Sequence, residues 1–407
     1  MNVVIFTRNL PADYLGGAEI HTLLLAQALA TRGHTVTVVA GGAKDSRRRD
    51  RGVVIVRSRA FSYPYLFRTV LLPYWRDQFR KSVREVISSA DIVHGFDLDS
   101  LLLLSGWKEI RSKLVATIQD YSIICPAGDL LTVNGELCRC HGLKSFKCHR
   151  QYDRASFYQL YCRIAYPFRF AVRSRLFLHL PHIIFISKFV SSQFGRVFGD
   201  ELTAKTAVIS NFIPDSWLRE VSTPSKKLFD ILYVGRVERY KGIDVLLTSL
   251  HIAAKKFPAP RVAIVGSGNV KFYRKKAAAF GLAEQVQFFG AVPYSRVRDY
   301  YLKSKIVVVP SVWSEPCGRT VIEGMGMGNV VVATNSGGTP ELLEDRKTGF
   351  LIPPNDPVAL ERKLRYALNH YAKLYSMRRR AKAHVRNHYL SQQIVQQYES
   401  VYRQFRM

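Results

Sequence analysis

Residues 306–333 read IVVVPSVWSEPCGRTVIEGMGMGNVVVA. The stretch opens with an apolar run, Ile306–Pro310, and closes with another, Val330–Ala333. Short, β-branched runs of this kind suit buried strands. Between them Pro316 and Gly318 force a turn, and from Thr320 onward the pattern reads as helix. Strand, turn, helix and strand in that order form a βαβ unit, the building block of a parallel sheet.

The same alternation extends in both directions. Strand candidates before the stretch are Asp230–Val234, Val262–Val265 and Val286–Phe289, and Gly349–Ile352 follows it. Further upstream lie Val3–Thr7, Thr35–Ala40, Val53–Arg57, Asp91–Phe96, Leu114–Ile118, His182–Ile186 and Ala207–Ser210. Gly17 to Leu29 reads as a helix. Trp75, Phe79, Val83 and Ile87 recur every four residues and predict a second, core-facing helix. The polar stretch from Arg219 to Lys227 reads as a linker, and after Pro357 the chain is mostly helical and basic. The expectation is an α/β chain of two doubly wound parallel sheets, residues 1–216 and about 225–385, facing each other across a cleft. A chain of 407 residues, 47% hydrophobic, can bury a core in each.

The net charge of +29 favours anionic partners and says nothing about fold. It is spread out: residues 1–216 hold 29 Lys and Arg against 17 Asp and Glu, a net of +12, which leaves +17 for the rest. That spread fits attraction to an anionic membrane surface better than one focused groove. The start, MNVVIFTR, lacks the basic and long apolar regions of a signal peptide. No uncharged apolar run approaches the roughly 20 residues that span a bilayer. The expected location is therefore cytoplasmic, peripheral at the inner face of the membrane.

Chemistry concentrates in two turns. Glu315 and Glu323 flank the turn into the helix after Ile306–Pro310, so Glu323 falls about one turn into that helix. Arg236 follows the strand ending at Val234, and Lys241 precedes Gly242 and a helix. Cations at a helix N-terminus add to the macrodipole and the free amides there, making an anion site. Carboxylates accept from hydroxyls and cations hold a diphosphate, so the set suits a nucleotide-sugar. Surface glutamates and solvated charge runs are the plain alternative for either pair alone; the four residues together are far more specific.

These segments resemble the retaining glycosyltransferases of family four, whose GT-B fold has two Rossmann-like domains. Matching pieces run nearly end to end: Gly16-Gly17-Ala18-Glu19, Asp91 to His94, Ile186-Ser187-Lys188, Val208 to Asn211, and Gly235-Arg236 to Lys241-Gly242. They continue through Val265 to Gly268, Phe289 to Val292, Glu315 to Glu323, Gly337 to Glu341 and Thr348 to Pro353. The resemblance implies that Arg236 and Lys241 hold the donor diphosphate, Glu323 the ribose, and that Glu315 meets the hydroxyls of the donor sugar. It places the backbone around Gly318, Arg319 and Thr320 against sugar or phosphate, and Gly266 and Val292 beside the base. Gly16 and Gly17 would close over the phosphate. It further implies a first domain that takes the acceptor, a tail of about residues 386–407 crossing back onto that domain, and transfer without a catalytic metal. The tail carries Tyr398, Val401, Tyr402 and Phe405 at helical spacing.

One departure stands out. After the strand Leu114–Ile118 many relatives carry His-Asp, and this chain carries Gln119-Asp120. Gln cannot titrate, which excludes a general-base role there and leaves a positioning role. His94 is the remaining histidine at a strand end, and a satisfied histidine that backs the site without touching substrate is the favoured reading. Together with Ser187 these are the acceptor-side candidates.

Cys125, Cys138, Cys140 and Cys148 fall within 24 residues, beside His141 and His149. Thiolates and imidazoles suit tetrahedral zinc, yet the spacing is not of the paired Cys-x-x-Cys kind. A structural zinc and free thiols in an inserted loop both stay open. Residues 150–175 interleave six arginines with seven aromatics, a mixture that suits a headgroup boundary, single-stranded nucleic acid or a solvated helix face. The reading is a glycosyltransferase moving a hexose or similar sugar onto a glycan or lipid-linked hydroxyl. A nucleotide-sugar epimerase and a nucleic-acid-binding protein are the rivals; no specific nucleic acid is expected.

Overall fold

The computed structural model describes residues 1–10, 16–61, 72–125, 128, 130, 138, 166–199, 202, 206–219, 226–254 and 260–404, with backbone alone at 72–76, 166 and 169. These residues divide into two units, one formed by those up to Ser210 together with those from Ile394, the other by Asn211–Gln393.

The first unit runs β1 (Asn2–Thr7), α1 (Gly17–Thr31), β2 (Thr35–Gly41), β3 (Ser46–Asp50), β4 (Val53–Ser58), α2 (Leu72–Ser88), β5 (Ile92–Gly95) and α3 (Leu98–Leu104). It continues with β6 (Leu114–Ile118), α4 (Tyr166–Leu178), β7 (His182–Phe185), α5 (Lys188–Phe198) and β8 (Thr206–Val208). The strands form one sheet in the order β3-β4-β2-β1-β5-β6-β7-β8. Every neighbouring pair is parallel except β3 with β4. Val3, Val4, Ile5 and Phe6 are fully buried because helices cover both faces of a parallel sheet, which is why β1 reads as a continuous apolar run. Phe79, Val83 and Ile87 of α2 are buried as their spacing predicts; the Trp75 side chain lies outside the described residues.

β3 is a strand that no apolar alternation announces. Its sequence is Ser-Arg-Arg-Arg-Asp, and it forms because β4 offers an antiparallel edge from Ser46↔Arg57 to Asp50↔Val53. Charged residues at a sheet edge also discourage pairing with another chain.

The second unit runs β9 (Phe229–Val234), α6 (Ile243–Ala254), β10 (Val262–Val265), α7 (Val270–Ala279), β11 (Val286–Gly290), α8 (Tyr294–Leu302) and β12 (Ser304–Val309). It closes with α9 (Arg319–Gly326), β13 (Val330–Thr334), β14 (Phe350–Ile352), α10 (Pro357–Asn369) and α11 (Tyr375–His388). All six strands are parallel, in the order β11-β10-β9-β12-β13-β14. Its core gathers Ile231, Tyr233, Leu246, Ile264, Ile306, Val308, Val332 and Leu360. In this winding the strand order reverses between β9 and β12, and open α/β sheets bind ligands at the carboxyl ends of the strands beside that reversal.

A last helix, α12 (Ser391–Arg403), starts in the second unit and from Ile394 belongs to the first. Tyr398 and Tyr402 are fully buried there; Phe405 lies outside the described residues. Among the described residues no helix is long and apolar enough to cross a membrane.

Candidate functional site

The two turns singled out by their charges sit on the two strands that flank the reversal in the second unit. Arg236 and Lys241 follow β9, and Glu315 to Glu323 follow β12 and enter α9. Gly266 follows β10 and Val292 follows β11. Thus all the donor-side candidates of this unit lie along one sheet edge.

The loops interlock tightly. Gly242 sits at φ 76°, and a Cβ there would fall 1.8 Å from the Pro310 carbonyl oxygen, so only glycine lets the β9 loop rest against the end of β12. At Gly266, φ 150°, a Cβ would lie 1.7 Å from the Gly235 carbonyl oxygen. Backbone bonds lock the same loops: Gly235 N–H donates to Val265 at 3.0 Å, Val237 to Ser267 at 2.7 Å and Gly266 to Gly290 at 2.8 Å.

Lys241 Nζ donates to Glu315 Oε1 at 2.7 Å and lies 4.6 Å from the centre of the Trp313 ring. Ser311 Oγ donates to the same carboxylate oxygen at 2.6 Å. Burial by itself would raise the Glu315 carboxyl, but the Lys241 charge and these hydrogen bonds outweigh it and hold the group below its ordinary value. Glu315 is therefore an anion. Arg236 Nη1 donates to the Tyr240 hydroxyl at 3.3 Å, and the Arg236 carbonyl accepts from Tyr233 Oη at 2.6 Å.

Glu323 lies deeper, 2% exposed. Tyr294 Oη donates to one of its oxygens at 3.0 Å and Tyr301 Oη to the other at 2.6 Å. Burial raises its carboxyl, opposed by the Arg319 charge and by both tyrosines. Each carboxylate oxygen has a further lone pair for a ligand hydroxyl. Arg319 is buried beside it, with Nη1 3.5 Å from the Tyr294 hydroxyl, and its Nε and Nη2 have no hydrogen-bond partner among the described residues. Gly318 caps α9 without a side-chain bond, and Thr320 Oγ1 donates to the Val234 carbonyl at 3.3 Å.

Tyr294 and Tyr301 escaped the sequence reading. They stand seven residues apart, two turns along α8, and that spacing was the one signal available. Nothing in it points to a glutamate 22 and 29 residues downstream.

In the first unit Gly16 caps α1 and Gly17 is its first residue, and no atom of the described residues lies within 4 Å of where a Gly17 Cβ would stand. His94 is a core group, which corrects its place among the acceptor candidates. It is fully buried, Nδ1 lies 2.7 Å from Tyr402 Oη and Nε2 lies 2.8 Å from Thr117 Oγ1, so neither nitrogen is left for a substrate. Burial drives its pKa down to about 3, so the ring is neutral. Ser187 is likewise committed: its Oγ accepts the Val190 N–H at 3.1 Å and caps α5. Gln119 is half-buried, and its Nε2 has no partner among the described residues. Asp120 is exposed and accepts the Ser122 N–H at 2.9 Å.

Cys125 and Cys138 are buried thiols, while Cys140 and Cys148 lie outside the described residues. Among the described residues no three His, Cys, Asp or Glu side chains group as metal ligands. Of the arginine-aromatic stretch, Arg173 and Phe170 are buried, Arg173 donating to the Ser122 carbonyl at 3.2 Å, while Phe168 is exposed; most of the rest lies outside the described residues.

Two family profiles match the chain. One, described as Glycosyltransferase Family 4, covers residues 15–217, and the other, Glycosyl transferases group 1, covers residues 217–385. An uncharacterised glycosyltransferase of Methanocaldococcus jannaschii is 24% identical over 377 residues, 88% of this chain and 86% of that one. Sucrose-phosphate synthase from Thermosynechococcus elongatus superposes with a TM-score of 0.75 at 18% identity, covering 99% of this chain and 98% of that one. The Anabaena protein HepE, solved in complex with UDP and glucose, gives 0.71 at 18% identity over 98% of each chain.

Proposed function

We propose the reaction of this chain from the premise that it belongs to the family-four glycosyltransferases, of GT-B fold: it moves a sugar from a nucleoside diphosphate sugar to a hydroxyl of a glycan or lipid-linked acceptor, retaining the anomeric configuration. The observation that carries the reading is the Lys241–Glu315 pair at the strand ends beside the reversal of the second sheet. A structural neighbour, HepE, is described in complex with UDP and glucose, which supports a uridine nucleotide as the first donor to try.

In this reading Arg236 and Lys241 face the diphosphate. As the sugar–phosphate bond breaks, negative charge builds on the departing diphosphate, and fixed cations in a partly desolvated loop stabilise that charge most in the transition state. That work is assigned to side chains and not to a metal ion. Lys241 uses one of its three donor positions on Glu315, which aims the ammonium and leaves donors for phosphate oxygens. Glu315 meets hydroxyls of the donor sugar, and Glu323, oriented by Tyr294 and Tyr301, meets the ribose. Gln119 offers an amide that positions but does not titrate. Retention follows from acceptor attack on the face that the diphosphate leaves, through an oxocarbenium-like state.

Thermal-shift titration with uridine, guanosine and adenosine diphosphate sugars tests the donor. Wild type should be stabilised by one of them and Arg236→Ala and Glu323→Ala should not; equal shifts in all three proteins would overturn the site. The anomeric proton coupling of the product reads retention. The +29 charge supports a peripheral place on an anionic membrane. Anionic vesicles should then retain the protein at low salt and release it near ~0.5 M, where the screening length is a few Å.

A further inference from the structure

His384 and His388 stand four residues apart at the end of α11, so one helical turn sets them side by side on the same stripe. Their ring centres lie 4.9 Å apart, with the ring planes at 51°. Two imidazoles that share one ion hold it about 2.0 Å from a nitrogen of each, which puts each ring centre about 3.2 Å from the ion. At bond angles between square and tetrahedral the two centres then stand about 4.5–5.2 Å apart. The observed separation falls inside that range.

The surroundings orient one ring and leave the pair open to solvent. His384 is half-buried and hydrogen-bonds to the Leu342 backbone. A backbone bond on one ring nitrogen fixes the ring and keeps the other nitrogen for a ligand, as in metal-binding imidazoles generally. Glu344 lies near enough to act on the charge of His384. His388 is exposed, which gives an ion its way in. The Tyr389 ring stands beside both, 5.5 Å from His384 and 6.3 Å from His388, and its hydroxyl donates to the Glu341 carbonyl at 3.3 Å. Arg380, one turn before His384, is drawn aside by the Lys347 carbonyl, to which its Nε donates at 3.1 Å. The carboxyl end of a helix also carries the negative pole of its dipole, which favours a cation there.

We propose that His384 and His388 together chelate a divalent transition-metal ion of the zinc, nickel or copper class. Imidazole nitrogen suits these ions, whereas magnesium and calcium take oxygen ligands. Water fills the remaining positions, since among the described residues no third ligand joins the pair. The ion staples the last turn of α11. The site goes beyond the transfer reading and does not rest on it: this ion serves the fold, and the cations of the donor loops remain side chains.

Calorimetric titration of the full chain, freed of metal with EDTA and dialysed, tests it with zinc and separately with nickel. Wild type should hold an ion at a site that His384→Gln and His388→Gln each weaken by about tenfold or more. Magnesium should give no binding heat. Arg386→His combined with His388→Gln keeps two histidines on α11 but turns them to different faces, so it should bind as weakly as His388→Gln alone. Arg386 and His388 are exposed, so folding is not at stake in these variants. Zinc should raise the melting temperature of wild type by more than that of His388→Gln. No binding to wild type would overturn the proposal. Equal affinity and stoichiometry in wild type and both single variants would overturn it too, and would assign the ion to other ligands, the cysteines of 125–148 first among them.

Discussion

Lys241 and Glu315, 74 residues apart, are joined at 2.7 Å beside the point where the second sheet reverses its strand order. Glu315 is 7% exposed, so the pair is largely withdrawn from water. Removing one partner of such a pair strands the other charge, which costs about 3 kcal/mol or more, whereas removing both costs less. Lys241→Met should thus be more destabilising than Lys241→Met combined with Glu315→Gln. Urea unfolding checks this; additive losses would show that the two do not depend on each other.

Tyr301 is fully buried with its hydroxyl 2.6 Å from Glu323. Tyr301→Phe removes a donor to a buried carboxylate, worth about 2 kcal/mol. The carboxyl of Glu323, already raised by burial, should rise further. Carboxyl infrared titration of the variant against Glu323→Gln reads the second effect, and an unmoved signal would rule it out.

Arg319 presents the opposite case: a buried guanidinium with two donors unmet among the described residues. Replacing it by a long apolar side chain relieves that cost. The same change withdraws the charge that opposes burial at Glu323, so Arg319→Met should bind donor more weakly, and Arg319→Met combined with Glu323→Gln should melt at or above the Glu323→Gln temperature. Equally tight binding by Arg319→Met would contradict the role of Arg319 as a donor contact, and a lower melting temperature for the double variant would contradict the relief.

Gly242 should tolerate no side chain. Its φ of 76° and the 1.8 Å approach to Pro310 mean that Gly242→Ala strains the backbone and separates the β9 and β12 loops. The expected loss is about 2 kcal/mol or more, accompanied by weaker donor binding. Chemical denaturation with a donor titration measures both.

Acid should loosen the first unit through His94. An ordinary histidine titrates near 6.5, and burial holds this one at about 3. The unfolded chain therefore takes up a proton that the folded chain refuses. The contribution is complete above about pH 6.5 and declines as pH falls toward 3, by an amount on the order of 4 kcal/mol. Glu399 acts in the same direction at lower pH. Hydrogen bonds from Arg32, then from His34, hold its carboxyl at about 2, so its stabilisation is present above about 4.5 and is lost toward 2. Melting curves from pH 7 to 4 should fall more steeply for wild type than for His94→Gln, and parallel curves would exclude the histidine as the cause.

Apolar runs and turn residues were enough to place every strand but β3 along the chain, the glycine turns, and both charged turns at strand ends. Those properties are local: apolar runs, β-branched residues and turn chemistry within a few residues specify them. The pattern Glu315 to Glu323 was legible for the same reason, since a turn and one helical turn span it. Tertiary structure decided what each charge touches. Lys241 meets Glu315, Glu323 takes two tyrosines from α8, and Arg32 on α1 reaches Glu399 on α12, 367 residues away. It also decided that His94 is sealed under Tyr402 and that five polar residues at 46–50 form an edge strand. Contacts of this kind depend on sheet register and helix packing, which bring distant segments together through burial and leave no periodicity in the segments themselves.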